Sequence, residues 1–323
     1  MKILMFGRGV IATVYGWVLE QAGHEVEFYV RPGRAAAYGD AVDLDLLDSR
    51  RRLRGERVVR KWPVRFREDL EPDHDFDLIV LSVPHHRLAE AATFLAPRVS
   101  RATVLVFGAI WAEPQAAIGA LPVDQVAWGA PQAGGGFGED GVLRGALLPS
   151  VVFGTLDRPP TDRELAVRQV FREAGLRVAE RPDFRGWLWI HFVVNAGLHS
   201  QALELGSLAD LVGATSELRE AMLIGRELLP LLKARGVDLR RHRLSVLAFR
   251  APTWLTAPAF AWATAHVAPA RVNFAAHSDP GAEEPLEICR DVLAEARRLG
   301  VAVPRLEAAE PRFARRGKAR PVG

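Results

Sequence analysis

Six residues near the amino terminus, Gly7-Arg8-Gly9-Val10-Ile11-Ala12, have the types and spacing that hold a dinucleotide's pyrophosphate. The first small residue permits a tight turn, the second lets backbone approach phosphate, and the third lets helix and strand pack closely. Phosphate then meets the amino-terminal end of a helix, where unpaired N–H groups favour anions. The pattern alone is weak; its context, after an apolar strand and before a helix, makes it specific. The end of the second strand selects the cofactor: a carboxylate there accepts from the ribose 2′-hydroxyl of NAD, whereas positive charge suits the 2′-phosphate of NADP. Here that position holds Arg31, with Arg34 three residues on, and Glu27 lies inside the strand. NADPH is therefore the expected cofactor, against the plainer reading that both arginines are solvated loop charges.

These residues need elements to position them. Ile3 to Phe6 reads as a first strand, Ile11 to Ala22 as a helix stopped by Gly23, and Glu25 to Val30 as a second strand ended by Arg31-Pro32-Gly33. The continuous apolar run Asp77 to Val83 suits a strand buried on both faces. Leu88 to Leu95 follows as a helix and Ala102 to Phe107 as another strand, so Val83 and Gly108 fall at strand ends where cofactor is contacted. Gly134-Gly135-Gly136 reads as a hairpin loop rather than a phosphate cradle, because no helix follows it. Asp162 to Ala174 is a helix capped by Thr161 or Asp162, and Leu176 to Ala179 a short strand. From Asp183 onward the periodicity is helical. The expectation is an α/β fold: a Rossmann-type, doubly wound parallel sheet over residues 1–182 and an all-α domain over 183–323.

Composition narrows the class. With 323 residues, 49% of them hydrophobic and 25% charged, the chain has room for two ordinary cores, which argues against disorder. The single cysteine, Cys289, allows no internal disulfide and no thiolate-rich metal site, in keeping with a reducing cytoplasm. The apolar start is too short for a signal peptide, and the stretch 257–270 is broken by Pro258, His266 and Pro269, so no membrane span is expected. The net charge of +3 concentrates in Arg50-Arg51-Arg52 through Lys61 and in Arg312, Arg315, Arg316, Lys318 and Arg320. Without a recognition helix or stacking platform, these read as solvated surface and not a nucleic-acid site. Neighbouring His85 and His86 diverge, and His191 and His199 lie two turns apart, so no convergent metal site is expected.

Together, Gly7-Arg8-Gly9-Val10-Ile11-Ala12, Tyr15-Gly16, Ala22-Gly23-His24-Glu25-Val26 and Arg31 resemble the opening of ketopantoate reductases. Leu188-Trp189-Ile190-His191-Phe192-Val193-Val194-Asn195 and Leu299-Gly300-Val301-Ala302-Val303-Pro304 continue that resemblance toward the end of the chain. It implies NADPH as hydride donor, a substrate cleft between a Rossmann and a helical domain, and commonly a homodimer. In that family a lysine on the first long helix of the second domain polarises or protonates the carbonyl, and an asparagine one turn later orients substrate. The matching positions here hold His191 and Asn195, four residues apart and so on one helix face. Counting back from Gly300 places Glu284 at the family's glutamate, with Glu283 and Glu287 as adjacent alternatives. Asn273 stands near the family's serine, and His199 extends the polar face; both are candidate substrate contacts. Val106-Phe107-Gly108 places an apolar ring at or near a position where the family commonly has asparagine, and Val83-Pro84-His85 lacks a frequent lysine. A small-molecule ketone, 2-oxo acid or imine other than ketopantoate is therefore expected as substrate, with authentic ketopantoate reduction and an NADPH-binding sensor or scaffold without catalysis as the alternatives.

Hydride delivery to a carbonyl builds negative charge on oxygen, so some group must donate a proton. Histidine, with an ordinary pKa of about 6.5, is well matched to that task near neutrality. His191 is the candidate acid, Asn195 the orienting amide and Glu284 a partner of substrate or histidine; the alternative is a histidine that fills a polar spot in a helix interface. Trp187, Trp189, Trp254 and Trp262 add aromatic surface that suits either a bulky substrate or the core.

Overall fold

The computed structural model describes residues 1–52, 54–277 and 283–314. It divides into two compact units, one of residues 1–185 together with 268–276, the other of 186–267 with the chain from 277 onward. The first comprises β1 (Lys2–Phe6), α1 (Val10–Gln21), β2 (Glu25–Tyr29), α2 (Ala35–Tyr38), β3 (Ala41–Asp48), β4 (Glu56–Pro63), β5 (Phe66–Arg67), β6 (Leu78–Leu81), α3 (Leu88–Leu95), β7 (Thr103–Phe107), α4 (Pro114–Ile118), β8 (Val126–Ala130), β9 (Ala133–Phe137), β10 (Leu143–Leu147), β11 (Ser150–Gly154), α5 (Asp162–Glu173) and β12 (Arg177–Arg181). Helices follow: α6 (Phe184–Leu205), α7 (Thr215–Glu227), α8 (Leu229–Ala234), α9 (Leu247–Arg250), α10 (Thr253–His266), α11 (Ala268–Ala275), α12 (Glu284–Arg298) and α13 (Pro304–Ala314).

The main sheet has the order β12-β11-β8-β7-β6-β1-β2-β5. β1 pairs in parallel with β2 on one side and β6 on the other, so the strand order reverses at β1. That reversal opens a crevice at the carboxyl ends of the strands, where α/β sheets bind ligands. β6, β7 and β8 are buried along their whole length, as their unbroken apolar runs require. The parallel run ends at β8: β11 pairs with it antiparallel, and β12 then pairs parallel with β11. The expected parallel sheet thus holds from β5 to β8 and becomes mixed at the far edge.

A second sheet, ordered β4-β3-β10-β9, stands beside the expected parallel one. α1 packs against β1, β2 and β9, and its residues Ala12 to Leu19 are all buried. A helix covered on more than one side has no use for a polar face, which explains why its polar residues are so few. Tyr15 is fixed there by a 2.9 Å bond from the Gln132 N–H to its hydroxyl oxygen and by an edge contact with Phe107 at 4.8 Å. Trp62 of β4 meets Phe28 of β2 at 5.8 Å and donates its indole N–H to Glu20.

Gly134, Gly135 and Gly136 are not in a hairpin loop but inside β9. A Cβ on Gly135 would lie 2.2 Å from the Arg144 carbonyl oxygen, and one on Gly136 would lie 2.2 Å from that of Ala276. The second contact comes from the end of α11, a helix that returns to the first unit and packs on β9 and β10. The glycines are needed because backbone approaches from two directions. The turn itself is 138–142, with Gly141 at φ +76° and Asp140 accepting from the Val142 N–H.

Thr161, rather than Asp162, caps α5 in a capping box with Glu164. The basic stretch is less solvated than expected at its start: Arg50 binds Asp48 at 2.8 Å, donates to the Ala174 carbonyl and lies over the Trp17 ring. Arg315, Arg316, Lys318 and Arg320 lie outside the described residues.

In the second unit, α6 is the longest helix. A Cβ on Gly197 would meet the Ala221 carbonyl oxygen at 2.5 Å, so glycine sets the close approach of α6 and α7. Trp189 is buried beneath the Arg235 guanidinium, 3.7 Å from its ring centre, and Arg235 pairs with Glu295 at 3.4 Å. Cys289 is buried with its thiol 3.6 Å from the Ala196 carbonyl, and burial pushes its pKa up. Trp189 is therefore core, while Trp254 and Trp262 on α10 are 69% and 60% exposed. Among the described residues no helix is long and apolar enough to cross a membrane.

Gly135→Ala should lower the unfolding free energy by about 1–3 kcal/mol, since backbone rather than a flexible side chain must give way. Denaturant melts would show it as a lower midpoint; an unchanged midpoint would contradict the close approach.

Candidate functional site

Gly7 turns the chain at φ +96° and donates its N–H to the Tyr29 carbonyl at 2.9 Å, tying the loop to the end of β2. Gly9 is the N-cap of α1, which has no side-chain cap and no acidic residue in its first turn. A Cβ on Gly7 or Gly9 would meet no protein atom within 4 Å. The first-turn N–H groups of Val10, Ile11 and Ala12 thus lack a protein cap, and the space before them is open, as a pyrophosphate requires. Ala12 is fully buried, but the closest helix–strand approach falls one turn later, at Gly16, where a Cβ would lie 2.8 Å from the Phe28 ring.

Arg8 is the loop residue that the glycine spacing leaves unspecified. Its guanidinium lies 4.3 Å from the ring centre of Phe137 and 4.9 Å from that of Tyr38, and its Nε is buried without an acceptor. Desolvation lowers its pKa, yet a guanidinium keeps its charge at neutral pH. It is a cation fixed by aromatic faces beside the open glycine turn.

The strand ends gather the other cofactor candidates. Gly7 to Ile11 follow β1, Arg31 follows β2, Val83 follows β6 and Gly108 follows β7; a Cβ on Gly108 would sit 3.8 Å from the Val83 carbonyl. Phe107 does not enter the crevice: its ring is wholly buried against Tyr15 and Phe171. Arg31 and Arg34 are exposed, and Arg34 lies 5.6 Å from the Tyr38 ring centre. Glu68, absent from the sequence candidates, also reaches this corner. It leaves the end of β5, which pairs with β2, and accepts from the Ala35 N–H at 2.7 Å. Bonds from the backbone of Ala35, Gly33 and Arg34 hold its carboxyl below the usual range. The two-residue strand that delivers it carries no periodic signal.

In the second unit, His191, Asn195 and His199 fall at intervals of four along α6, each half-buried. The His191 ring stacks on Trp187, with centres 5.4 Å apart and planes 6° from parallel, so its orientation is defined. Desolvation lowers the His191 pKa below the ordinary histidine value. Burial thus favours its neutral, N–H-donating form beyond what the ordinary histidine value implies. Burial, reinforced by the charges of His277 and His191, pushes His199 down to about 3, and its Nδ1 is buried without a hydrogen-bond partner. Glu284 opens α12 as an exposed residue and makes no hydrogen bond or ion pair with His191 or Asn195 among the described residues. Glu287, its neighbour, is engaged with Arg290 at 2.7 Å. Asn273 lies half-buried on α11 in the first unit. Among the described residues no group of three or more His, Cys, Asp or Glu is placed to hold a metal.

A doubly wound sheet with an open, glycine-lined turn at its switch point is the architecture in which dinucleotides are commonly bound, and a helical unit accompanies it. The chain from residue 3 to 109 matches the family described as ketopantoate reductase PanE/ApbA. No curated protein matches by sequence. Among solved structures, the fold is that of 2-dehydropantoate 2-reductase from Geobacter metallireducens GS-15, at 16% identity, TM-score 0.66, covering 97% of this chain and 99% of that one. The PanE/ApbA family ketopantoate reductase from Ralstonia eutropha JMP134 is similar at 19% identity and TM-score 0.65, covering 97% of each chain. D-mandelate dehydrogenase, solved with NADH, aligns with TM-score 0.71 at 14% identity, over 97% of this chain and 98% of that one. The resemblance seen in the sequence motifs thus extends to the fold.

The His199 shift has a consequence for stability. The unfolded side chain titrates near 6.5 and the folded one near 3, so between those values the unfolded chain holds the extra proton. The stability contributed by keeping His199 neutral is complete above about pH 6.5 and is lost as pH falls toward 3, by up to a few kcal/mol. His199→Leu should flatten the slope of stability against pH between 6.5 and 4; a slope identical to the parent's would contradict the assignment.

Proposed function

We propose that the protein is an NADPH-dependent reductase of a small-molecule carbonyl or imine, with a 2-oxo acid other than ketopantoate as the favoured substrate class. The observation that carries the reading is the uncapped first turn of α1, facing open space at the switch point with Arg8 beside it and Arg31 and Arg34 at the end of β2. The relatives' names support the substrate class: 2-dehydropantoate and anilino(oxo)acetate, the latter held with NADH in a D-mandelate dehydrogenase structure, both carry an oxo group beside a carboxyl group. Residues 1–182 would bind cofactor and 183–323 substrate, in a cytoplasmic homodimer.

A bound reduced nicotinamide supplies hydride to the carbonyl carbon. The N–H groups of α1 and the glycine backbone would hold the pyrophosphate, Arg31 and Arg34 the 2′-phosphate, and Val83 and Gly108 would supply backbone at the strand ends. His191, held flat against Trp187, donates a hydrogen bond to the carbonyl oxygen; in its protonated form it passes that proton as negative charge develops there and returns to neutral imidazole. A substrate carboxylate beside the ring would raise its depressed pKa and favour that donation. Asn195, one turn on, orients the substrate, with His199, Asn273 and Glu284 as further contacts.

His191→Ala should cut substrate-dependent NADPH oxidation by roughly 10²–10⁴-fold while NADPH still binds; undiminished turnover would remove His191 from the mechanism. A panel of 2-oxo acids that includes ketopantoate distinguishes this reading from authentic ketopantoate reduction, and tight NADPH binding without turnover across the panel would indicate a nucleotide sensor. Arg31→Ala should weaken NADPH more than NADH in fluorescence titrations, and equal losses would place Arg31 outside the phosphate site.

A further inference from the structure

The corner that receives the adenosine end of a dinucleotide contains a negative charge that the strand pattern does not reveal. In a fold of this kind the residue ending β2 decides between cofactors: a carboxylate there accepts from a ribose 2′-hydroxyl, and an arginine accommodates a 2′-phosphate. Arg31 stands in that place. Four residues beyond it, however, the Ala35 N–H donates to Glu68 at 2.7 Å, while the Arg34 N–H is turned back to the Arg31 carbonyl. Gly33, at φ +78°, turns the chain between Arg31 and the Ala35 donor.

The carboxylate is held in place by more than one connection. β5 pairs with β2 in register, Phe66 opposite Phe28 and Arg67 opposite Tyr29, so Glu68 emerges level with Val30 at the same sheet edge as Arg31. Arg67 is itself engaged with Glu27 at 2.9 Å, and no ion pair to Arg31 or Arg34 offsets the Glu68 charge among the described residues.

We propose that Glu68 is a cofactor-selecting residue: held on the 33–35 backbone beside Arg31, it accepts from a ribose 2′-hydroxyl and opposes a 2′-phosphate, so this chain binds NADH far better than Arg31 alone would allow. The inference rests on the dinucleotide reading of the first unit. Two like charges within a few ångströms repel appreciably even in a well-solvated corner, and a carboxylate on backbone donors is already placed to accept a hydroxyl. Arg31 and Glu68 then act in opposite directions on the same 2′ position, and the ratio of NADPH to NADH affinity reports their balance.

The test is the pair of dissociation constants for NADPH and NADH, measured by nucleotide fluorescence or calorimetry in the full chain, in Glu68→Gln and in Glu68→Asp. Glu68→Gln should shift the affinity ratio toward NADPH on the order of tenfold, with Glu68→Asp keeping most of the parent's ratio. A ratio unchanged in Glu68→Gln would overturn the proposal. Equal weakening of both cofactors would also overturn it, since that is the signature of a residue that only braces the loop. Failure of the unsubstituted chain to bind either nucleotide would instead overturn the dinucleotide reading itself, and the proposal with it.

Discussion

Helix α1 carries two opposed requirements, and much of the first unit serves to reconcile them. Its body is buried from Ala12 to Leu19, on one side by the main sheet and on another by β9. Its first turn has no side-chain cap, and the proposed pyrophosphate site requires that it stay open. Gly9 meets the second requirement by contributing neither a capping side chain nor bulk. Gly16 meets the first by letting the helix sink onto Phe28 and Met5. The second sheet then covers the surface that a single sheet would leave bare, and Phe137 of that sheet supplies one of the two rings that hold Arg8 beside the turn.

Close backbone approach recurs as the structural use of glycine. Gly135 lies against the neighbouring strand, Gly136 against the end of α11, and Gly197 against α7, each with a carbonyl oxygen where a Cβ would be. Only one of the three lies on a long helix, and none has positive φ, so these glycines are not turn residues. They are sites where a side chain would force backbone to move, which a packed interior resists. The glycine run that resembles a phosphate loop in the sequence is therefore part of the packing around α1.

The electrostatics of the two units differ in kind. The first relies on permanent charges at a solvated sheet edge, with Arg8 on aromatic faces and Arg31, Arg34 and Glu68 gathered near the end of β2. The second relies on groups kept neutral by burial: His191 and His199 both have depressed pKa values and lie two turns apart on α6. A neutral imidazole stacked on Trp187 offers directed hydrogen bonding without a standing charge, a different solution from an ammonium group at the same position.

The α/β order, the turn at Gly7 to Ala12, the helical second half and the shared face of His191 and Asn195 were all legible in the sequence. They depend on short-range periodicity and spacing, which one chain segment carries by itself. The pairing of β11 against β8, the joining of β3 to β10 in a second sheet, the return of α11, the buried ring of Phe107 and the arrival of Glu68 at Ala35 were not. Each is a meeting of segments distant in the chain, and no local pattern encodes which surfaces will meet. The same limit applies to charge. Residue type placed a titratable imidazole at His191, but burial, which only tertiary packing creates, pushes it toward the neutral form.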